Sequence, residues 1–323
     1  MPVSLDDKFV IAITSMALFD FREADNVFID KGENEFRQYQ KANIDTPANP
    51  GTAFKLIQKL LKLNNNGTQH IEVFVLSKND PFSGLRVFKS ADHHKLSITR
   101  GIFTRGRSPG RYLRAIKPIL FLSESYADVR MALDENVPAA IVGLHAPEIT
   151  DKHPDELRIA LDGDGVLFSD ESEKIFQKYG LEVYQKMEAM LAKSPMNSGP
   201  LFAFVNALRK VQDATSLKLR LALVTARNSP AHERALRTLD ALGISVDEAF
   251  FLGGLEKTPF LKEFEPDIFF DDQMSHIKPA EGVAAVAHVP CGIGNRQNTA
   301  GIPLDTEDIN TASIPKHEEM PEG

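Results

Sequence analysis

The segment RIALDGDGVLF places two carboxylates, Asp162 and Asp164, one residue apart, directly after a short apolar run. Such a pair can divide the work of phosphoryl transfer. Asp162 attacks phosphorus, while Asp164 protonates the departing alkoxide and later activates water. Gly163 and Gly165 ease the tight turn that carries the pair. Further along, LALVTARNSP ends an apolar run at Thr225, whose hydroxyl can donate to a phosphoryl oxygen. GGLEKTPFLKEF sets Lys257 between a glycine turn and a helical stretch, where an ammonium neutralises phosphate and keeps Asp162 ionised beside it. PDIFFDDQ closes a strongly apolar run with Asp271 and Asp272, which repel each other unless a cation intervenes, and this calls for magnesium. Gly163, Thr225, Ala226 and Lys257 are therefore expected against the substrate. Asp162, the backbone carbonyl of Asp164, and Asp271 or Asp272 are expected on the metal.

Each feature has a plainer reading. DGDG also opens calcium loops, and Glu173 stands twelfth from Asp162, but the sixth position is Leu167, where the sharp turn needs glycine, and a strand precedes the motif. A lone threonine at a strand end is usually structural, and a lone lysine is usually solvated. Their order along one chain is what lends them weight.

These groups need strands to deliver them. Apolar runs at 10–13, 71–76, 118–122, 158–161, 221–224 and 267–270 alternate with helical-length segments, the pattern of buried parallel strands in an α/β protein. Ligands of such sheets bind at the carboxyl ends of the strands. Shifting the sequence by 148 positions, which lays Thr14 on Asp162, aligns the two halves without a gap. FVIAITSMAL then lies over LRIALDGDGV, NPGTAFKLIQKLLKL over NSGPLFAFVNALRKV, VFVLSKN over LALVTAR, and KPILFL over EPDIFF. Two similar doubly wound, parallel-sheet, Rossmann-like domains are expected, at residues 1–150 and 151–292. A linker is placed at 145–157 and an extended or disordered tail at 293–323. The shift also sets Thr14, Met16, Ser77, Pro109, Ser123 and Glu124 on the six chemical residues, so the first domain is expected to be a catalytically dead copy. Lys78, Arg105, Arg107 and Ser108 fall at its strand edge and fit a second nucleotide site, a lid, or plain solvated surface. The stretch SDESEKIFQKYGLEVYQKMEAML reads as a small helical insertion after the first motif.

A net charge of −8 argues against a nucleic-acid partner, whose recognition rests on clustered cations. The N-terminal stretch lacks the basic region of a signal peptide, and no run approaches the roughly 20 apolar residues of a membrane span. The single cysteine, Cys291, has no internal partner, so a cytoplasmic protein without a membrane partner is expected. The sequence leaves the oligomeric state open. Nine histidines form no convincing cluster, and His93, His94, His276 and His288 are expected to be packed or solvated.

Asp162-Gly163-Asp164, Thr225, Lys257 and Asp271-Asp272, in that order, resemble the four motifs of the haloacid dehalogenase superfamily over roughly residues 155–290. That resemblance implies a nucleophile at Asp162, an acid/base at Asp164, and acidic metal ligands in the last motif. An acid at Asp164 implies phosphate esters rather than carbon–halogen bonds as substrates. More narrowly, LDGDGVLFSDESE, GGLEKTPFLKEFEPDIFFDDQ and the N-terminal AITSMALFD resemble the type I cytosolic 5′-nucleotidase family across nearly the whole chain. This implies hydrolysis of nucleoside 5′-monophosphates, AMP prominently, with Mg²⁺. A phosphatase acting on a sugar phosphate and a nucleotide-binding regulatory protein are the alternatives. No side chain is singled out for the base except Phe168, by position only.

Overall fold

Strands buried on both faces need apolar side chains on both, and the six apolar runs meet that need. The computed structural model describes residues 4–5, 7–64, 69–143, 151–212 and 217–296. The first half supplies β1 (Phe9–Thr14), β2 (Ile71–Ser77), β3 (Arg100–Phe103), β4 (Leu120–Ser123) and β5 (Ala139–Val142). The second supplies β6 (Glu156–Leu161), β7 (Lys218–Thr225), β8 (Glu248–Phe251), β9 (Ile268–Asp271) and β10 (Val286–His288). All ten form one sheet, in the order β8-β7-β6-β9-β10-β5-β4-β1-β2-β3. Pairing is parallel within each half and antiparallel at the junction, where Ala287 faces Val142 and His288 faces Ile141.

The two halves thus present the same strand order outward from the junction. Their registers agree too. Ile11 pairs with Val73 as Ile159 pairs with Leu221, and Phe74 pairs with Arg100 as Ala222 pairs with Glu248. Only the last pairing slips, by one residue: Phe121 faces Ala139, whereas Phe269 faces Val286. The strands of both halves thus lie in one continuous sheet. Residues 156–157 of the expected linker belong to β6, and 144–150 lie outside the described residues. The expected tail opens with a helical turn, Ile293–Arg296, and 297–323 lie outside the described residues.

The core follows the same plan. One face carries a continuous cluster that includes Ile11, Leu18, Leu56 and Val73 from the first half and Ile159, Phe168, Phe204 and Phe270 from the second. The opposite face carries two separate clusters, one around Phe121 and Leu113, the other around Phe269 and Leu261.

After β1 the chain forms helices α1 (Arg22–Lys31) and α2 (Glu33–Ala42), which meet at Gly32. Helices α3 (Phe54–Leu61) and α4 (Gly84–His93) flank β2. After β6, helix α5 (Glu171–Met190) is broken at Gly180, where φ is 76° and ψ 179°. Gly32 holds nearly the same conformation, φ 91° and ψ −178°, and both positions suit a residue without a Cβ. The arms of each kinked pair touch through edge-on rings, Phe28 with Phe36 at 5.8 Å and Phe176 with Tyr184 at 6.0 Å. Helices α6 (Phe202–Gln212), α7 (His232–Ala241), α8 (Thr258–Phe264) and α9 (Met274–Ala280) complete the second half. Among the described residues no helix is long and apolar enough to cross a membrane.

A buried ion pair joins the halves on the shared face. Lys59 of α3 donates to Asp267 Oδ1 at 2.8 Å and Oδ2 at 3.0 Å, to Asp151 at 3.1 Å and to the His153 carbonyl at 2.9 Å. Asp267 also accepts from the Arg158 backbone N–H at 2.8 Å, at the start of β6. Lys55 stands 3.2 Å from the same Asp267 oxygen, so loss of Lys59 leaves the buried carboxylate one ammonium in place of two. Lys59→Ala is expected to cost about 3 kcal/mol of unfolding free energy, the lower end for breaking a buried pair, read from urea denaturation monitored by circular dichroism.

Candidate active site

The sheet delivers the acidic groups to one point because β6 and β9 are neighbours in register. Asp162 comes directly after β6, and its backbone N–H still donates to the Phe270 carbonyl at 2.9 Å, so its position is held by the ladder itself. Asp271 ends β9 and is 0% exposed, and Asp272 comes next, also buried. Thr225 ends β7, with its hydroxyl oxygen accepting from the Arg227 backbone N–H at 3.2 Å. Lys257 caps the N-terminal end of α8 and bridges the two strands, donating to Asp162 Oδ1 at 2.8 Å and Asp271 Oδ2 at 2.7 Å. Gly165 lies at φ +75°, and a Cβ there would stand 2.7 Å from Asp272 Oδ2. That position requires glycine for its backbone and for the carboxylate packed over it.

Asp162, Asp271 and Asp272 each offer a carboxylate oxygen within 4.8 Å of the others. Burial opposes the positive charge of Lys257, but Asp162 and Asp271 outweigh it and push its pKa up. Burial raises Asp162 to about 6 against the pull of Lys257, with Asp271 and Asp164 adding to the rise. Burial works the same way on Asp271, yet Lys257 and His276 prevail and hold it below the usual range. On Asp272 the pull of Lys257 is outweighed: burial first, then Asp162 and Asp271, push it up to about 9. Its Oδ1 is buried with no hydrogen-bond partner among the described residues. A buried carboxylate oxygen left unpaired beside two others is the environment of a hard divalent cation. The donor set of Asp162, Asp271 and Asp272 fits one.

Ala226, directly after β7, is exposed. The residues expected from the sequence are thus brought together, with one exception. Phe168 is fully buried, and its ring would stand 2.9 Å from a Cβ at Gly163, so it belongs to the core and not to a base-binding surface.

Four residues at the site carried no recognised signal in the sequence. Arg227 holds Asp164 through both carboxylate oxygens, each at 2.7 Å. Glu188 of α5, 0% exposed, accepts from Arg227 Nη1 at 2.5 Å. His276, expected to be packed or solvated, lies with Nδ1 3.1 Å from both oxygens of Asp271, because the first turn of α9 folds back over the end of β9. Asn295, from the expected tail, donates to the Asp272 carbonyl at 2.8 Å and lies 3.1 Å from His288 Nε2. His288 itself is buried in β10 as expected, and His94 is paired with the Ala48 carbonyl at 2.8 Å.

The matching edge of the first half carries Thr14, Met16 and Ser123 where the second carries Asp162, Asp164 and Asp271. Thr14 donates to Glu124, and the Ser15 and Ser77 hydroxyls are 2.9 Å apart. Ser108 donates to Asp128 at 2.8 Å, Lys78 lies 3.6 Å from the same carboxylate, and Arg105 pairs with Glu33 at 3.1 Å.

A family model for 5′-nucleotidases matches residues 1–296. Human cytosolic 5′-nucleotidase 1B is 31% identical over 301 residues, which cover 88% of this chain and 49% of that protein. The chain therefore spans about half the length of that curated relative. No solved structure matches.

The charge imbalance has a measurable consequence. Asp162 and Asp272 have folded pKa values above the ordinary aspartate value, so between roughly pH 4 and their values of about 6 and about 9 the folded chain binds more protons than the unfolded chain. Stability of the metal-free protein should fall as pH rises through that window. Asp271 is shifted the other way and acts below it. Melting temperature measured in chelator from pH 5 to 9 should decline, and Asp272→Asn should flatten the upper part of the decline.

Proposed function

The chain belongs to the 5′-nucleotidase family, and on that premise we propose that it hydrolyses nucleoside 5′-monophosphates through an aspartyl-phosphate on Asp162. The observation that carries the reading is the buried cluster in which Lys257 joins Asp162 to Asp271 while Asp272 keeps an unpaired oxygen. Magnesium is the cation proposed for it, held by Asp162, Asp271 and Asp272 with the Asp164 carbonyl. When bound it supplies charge neutralisation for the phosphoryl oxygens.

The chain's own groups do the rest. Lys257 orients the Asp162 carboxylate and offsets the charge of an incoming phosphate. Asp162 attacks phosphorus as the ester bond breaks, and Asp164 gives a proton to the leaving 5′ oxygen. Water then attacks the acyl phosphate, with Asp164 taking its proton. Thr225, at the end of β7, is placed to donate to a phosphoryl oxygen. The nucleoside is assigned to α5, where Phe176 is 43% exposed and meets Tyr184 edge to face. Tyr184 lies near enough to Asp164 and Arg227 to feel both charges.

The internal duplication belongs to the same reading, with a degenerate unit at 1–150 and the catalytic unit at 151–292. It is supported by the common strand order, by the paired registers, by Gly32 and Gly180, and by the left-handed residues Lys117 and Glu265, which also stand 148 positions apart.

The test is phosphate release from a panel of nucleoside monophosphates and sugar phosphates, with and without Mg²⁺. Nucleotide-selective, Mg²⁺-dependent turnover is expected, falling by about three orders of magnitude or more in Asp162→Asn. Preference for sugar phosphates would remove the nucleotide assignment, and activity surviving Asp162→Asn would remove the mechanism. On the same panel, Phe176→Ala should raise KM about tenfold for nucleoside monophosphates and leave ribose 5-phosphate nearly unchanged, in line with the loss of one aromatic contact.

A further inference from the structure

Arg227 is 3% exposed, and each of its five N–H bonds is used. Nε and Nη2 form a fork on Asp164, Nη2 also donates to Ser172 at 2.6 Å, and Nη1 donates to Glu188 and to the Ala231 carbonyl at 3.1 Å. Glu188 is shared with Arg234, whose Nη1 donates to it at 2.9 Å. Arg234 also pairs with Glu171 and donates from Nε to the Ser194 carbonyl at 2.9 Å. A chain of charges therefore runs from the acid/base at the sheet edge to the far arm of α5.

The first half provides an internal control. Arg86 stands 148 positions before Arg234 and makes the same three contacts: with Glu23 at 2.7 Å, Gln40 at 3.2 Å and the Thr46 carbonyl at 2.9 Å. Those partners precede Glu171, Glu188 and Ser194 by the same interval. The Arg234 cluster is thus part of the frame common to both halves. The Arg227 cluster is not. Asn79 occupies its position, Met16 that of Asp164, and neutral Gln40 that of Glu188. Three charges occur together in the half that holds the catalytic carboxylates and are absent together from the other.

From this pattern we propose that Arg227 is a positioning residue: it holds Asp164 in line for proton transfer and ties it to α5 through Glu188. The proposal rests on the phosphatase reading above. A bidentate fork uses one lone pair on each carboxylate oxygen and fixes the plane of the group. Asp164 remains 19% exposed, which leaves its outer edge for the leaving oxygen and for water. In the first step an Asp162 oxygen bonds to phosphorus and the ester P–O bond breaks. The electron pair stays on the leaving oxygen, which takes the proton from Asp164. In the second, water oxygen bonds to phosphorus, its proton passes to Asp164, and the acyl phosphate pair returns to Asp162. Both transfers depend on where the Asp164 oxygens point.

The test uses leaving groups. The ratio kcat/KM ends at departure of the leaving group, and nitrophenolate departs without a proton whereas a 5′ alkoxide needs one. Arg227→Ala should lower kcat/KM about 10²-fold for a nucleoside monophosphate and less than about 5-fold for p-nitrophenyl phosphate. Arg227→Lys keeps the charge without the fork and should stay near the alanine variant. Arg227→Ala combined with Asp164→Asn should be no slower than Asp164→Asn alone. Equal loss on both esters, or additive losses in the double variant, overturns the proposal. Arg86→Ala, in the first half, should leave the ratio between the esters as in wild type. Should Arg227→Ala not fold, Arg227→Lys and Glu188→Gln carry the same comparison, and an unchanged ester ratio in both overturns it. Wild-type preference for a sugar phosphate would remove the nucleotide reading alone, and that alkyl ester then replaces the nucleotide. Absence of turnover on every ester overturns both.

Discussion

Lys257, buried between Asp162 and Asp271, is the contact on which the rest of the site depends. Taking a carboxylate out of water costs several kcal/mol unless a counter-charge or donors replace the lost solvent. Two neighbouring strands end in three such groups, so the edge of β6 and β9 needs a cation at the start of α8 and a histidine on α9 close at hand. Each comes from a different element, and each element is fixed by the apolar core beneath it, through Leu261 and Phe264 in α8 and Ile277 in α9. The core does not create the chemistry. It sets the positions from which opposite charges can meet.

The first half shows that the backbone arrangement does not require these charges. The same strand order ends there in Thr14, Ser77 and Ser123, whose hydroxyls are satisfied by short local bonds. Glu124 is the acidic group kept at the position of Asp272, and burial raises it too, with Thr14 donating to it in partial compensation. A hydroxyl edge can be buried at little electrostatic cost, whereas an edge of three carboxylates is tolerated only for something that it does. Perturbed carboxylates concentrated in one of two matching halves are therefore a mark of function rather than of fold.

The same physics decides how far the sequence could be read. The six strands seen as apolar runs are those that lie neither at a sheet edge nor at the junction. Arg100–Phe103, Ala139–Val142, Glu248–Phe251 and Val286–His288 are short, and at sheet edges or at the junction their polar or small residues dilute the signal. Asp162, Asp164, Lys257 and the acidic pair were legible because strand ends concentrate them in a fixed order. Arg227 was not, since an arginine after a strand looks the same whether it is solvated or forked onto a carboxylate, and Asp164 is distant in sequence. His276 was hidden by the return of α9, and Phe168 misled because an aromatic residue after a catalytic turn can as readily close the core. The joining of both halves into one sheet had no local signal: antiparallel pairing of two four-residue or shorter strands leaves no pattern in either.

One element now serves two ends of the proposed reaction. Helix α5 carries Phe176 exposed, Tyr184 half-buried and Glu188 fully buried, and Glu188 leads through Arg227 to Asp164. A nucleoside held by the aromatic pair would bear on the same support that aligns the acid/base. Binding energy gained away from phosphorus can then be used to hold the reacting groups in line, which is how a remote part of a substrate comes to affect turnover as well as affinity. The glycine break at Gly180 separates the arm bearing Phe176 from the arm bearing Tyr184 and Glu188, and the two arms meet through the Phe176–Tyr184 ring contact and through Ser172, which donates to Glu188 at 2.8 Å. In the first half the corresponding rings and glycine persist while the charges beyond them do not, and the mechanical frame is present there with nothing left for it to align.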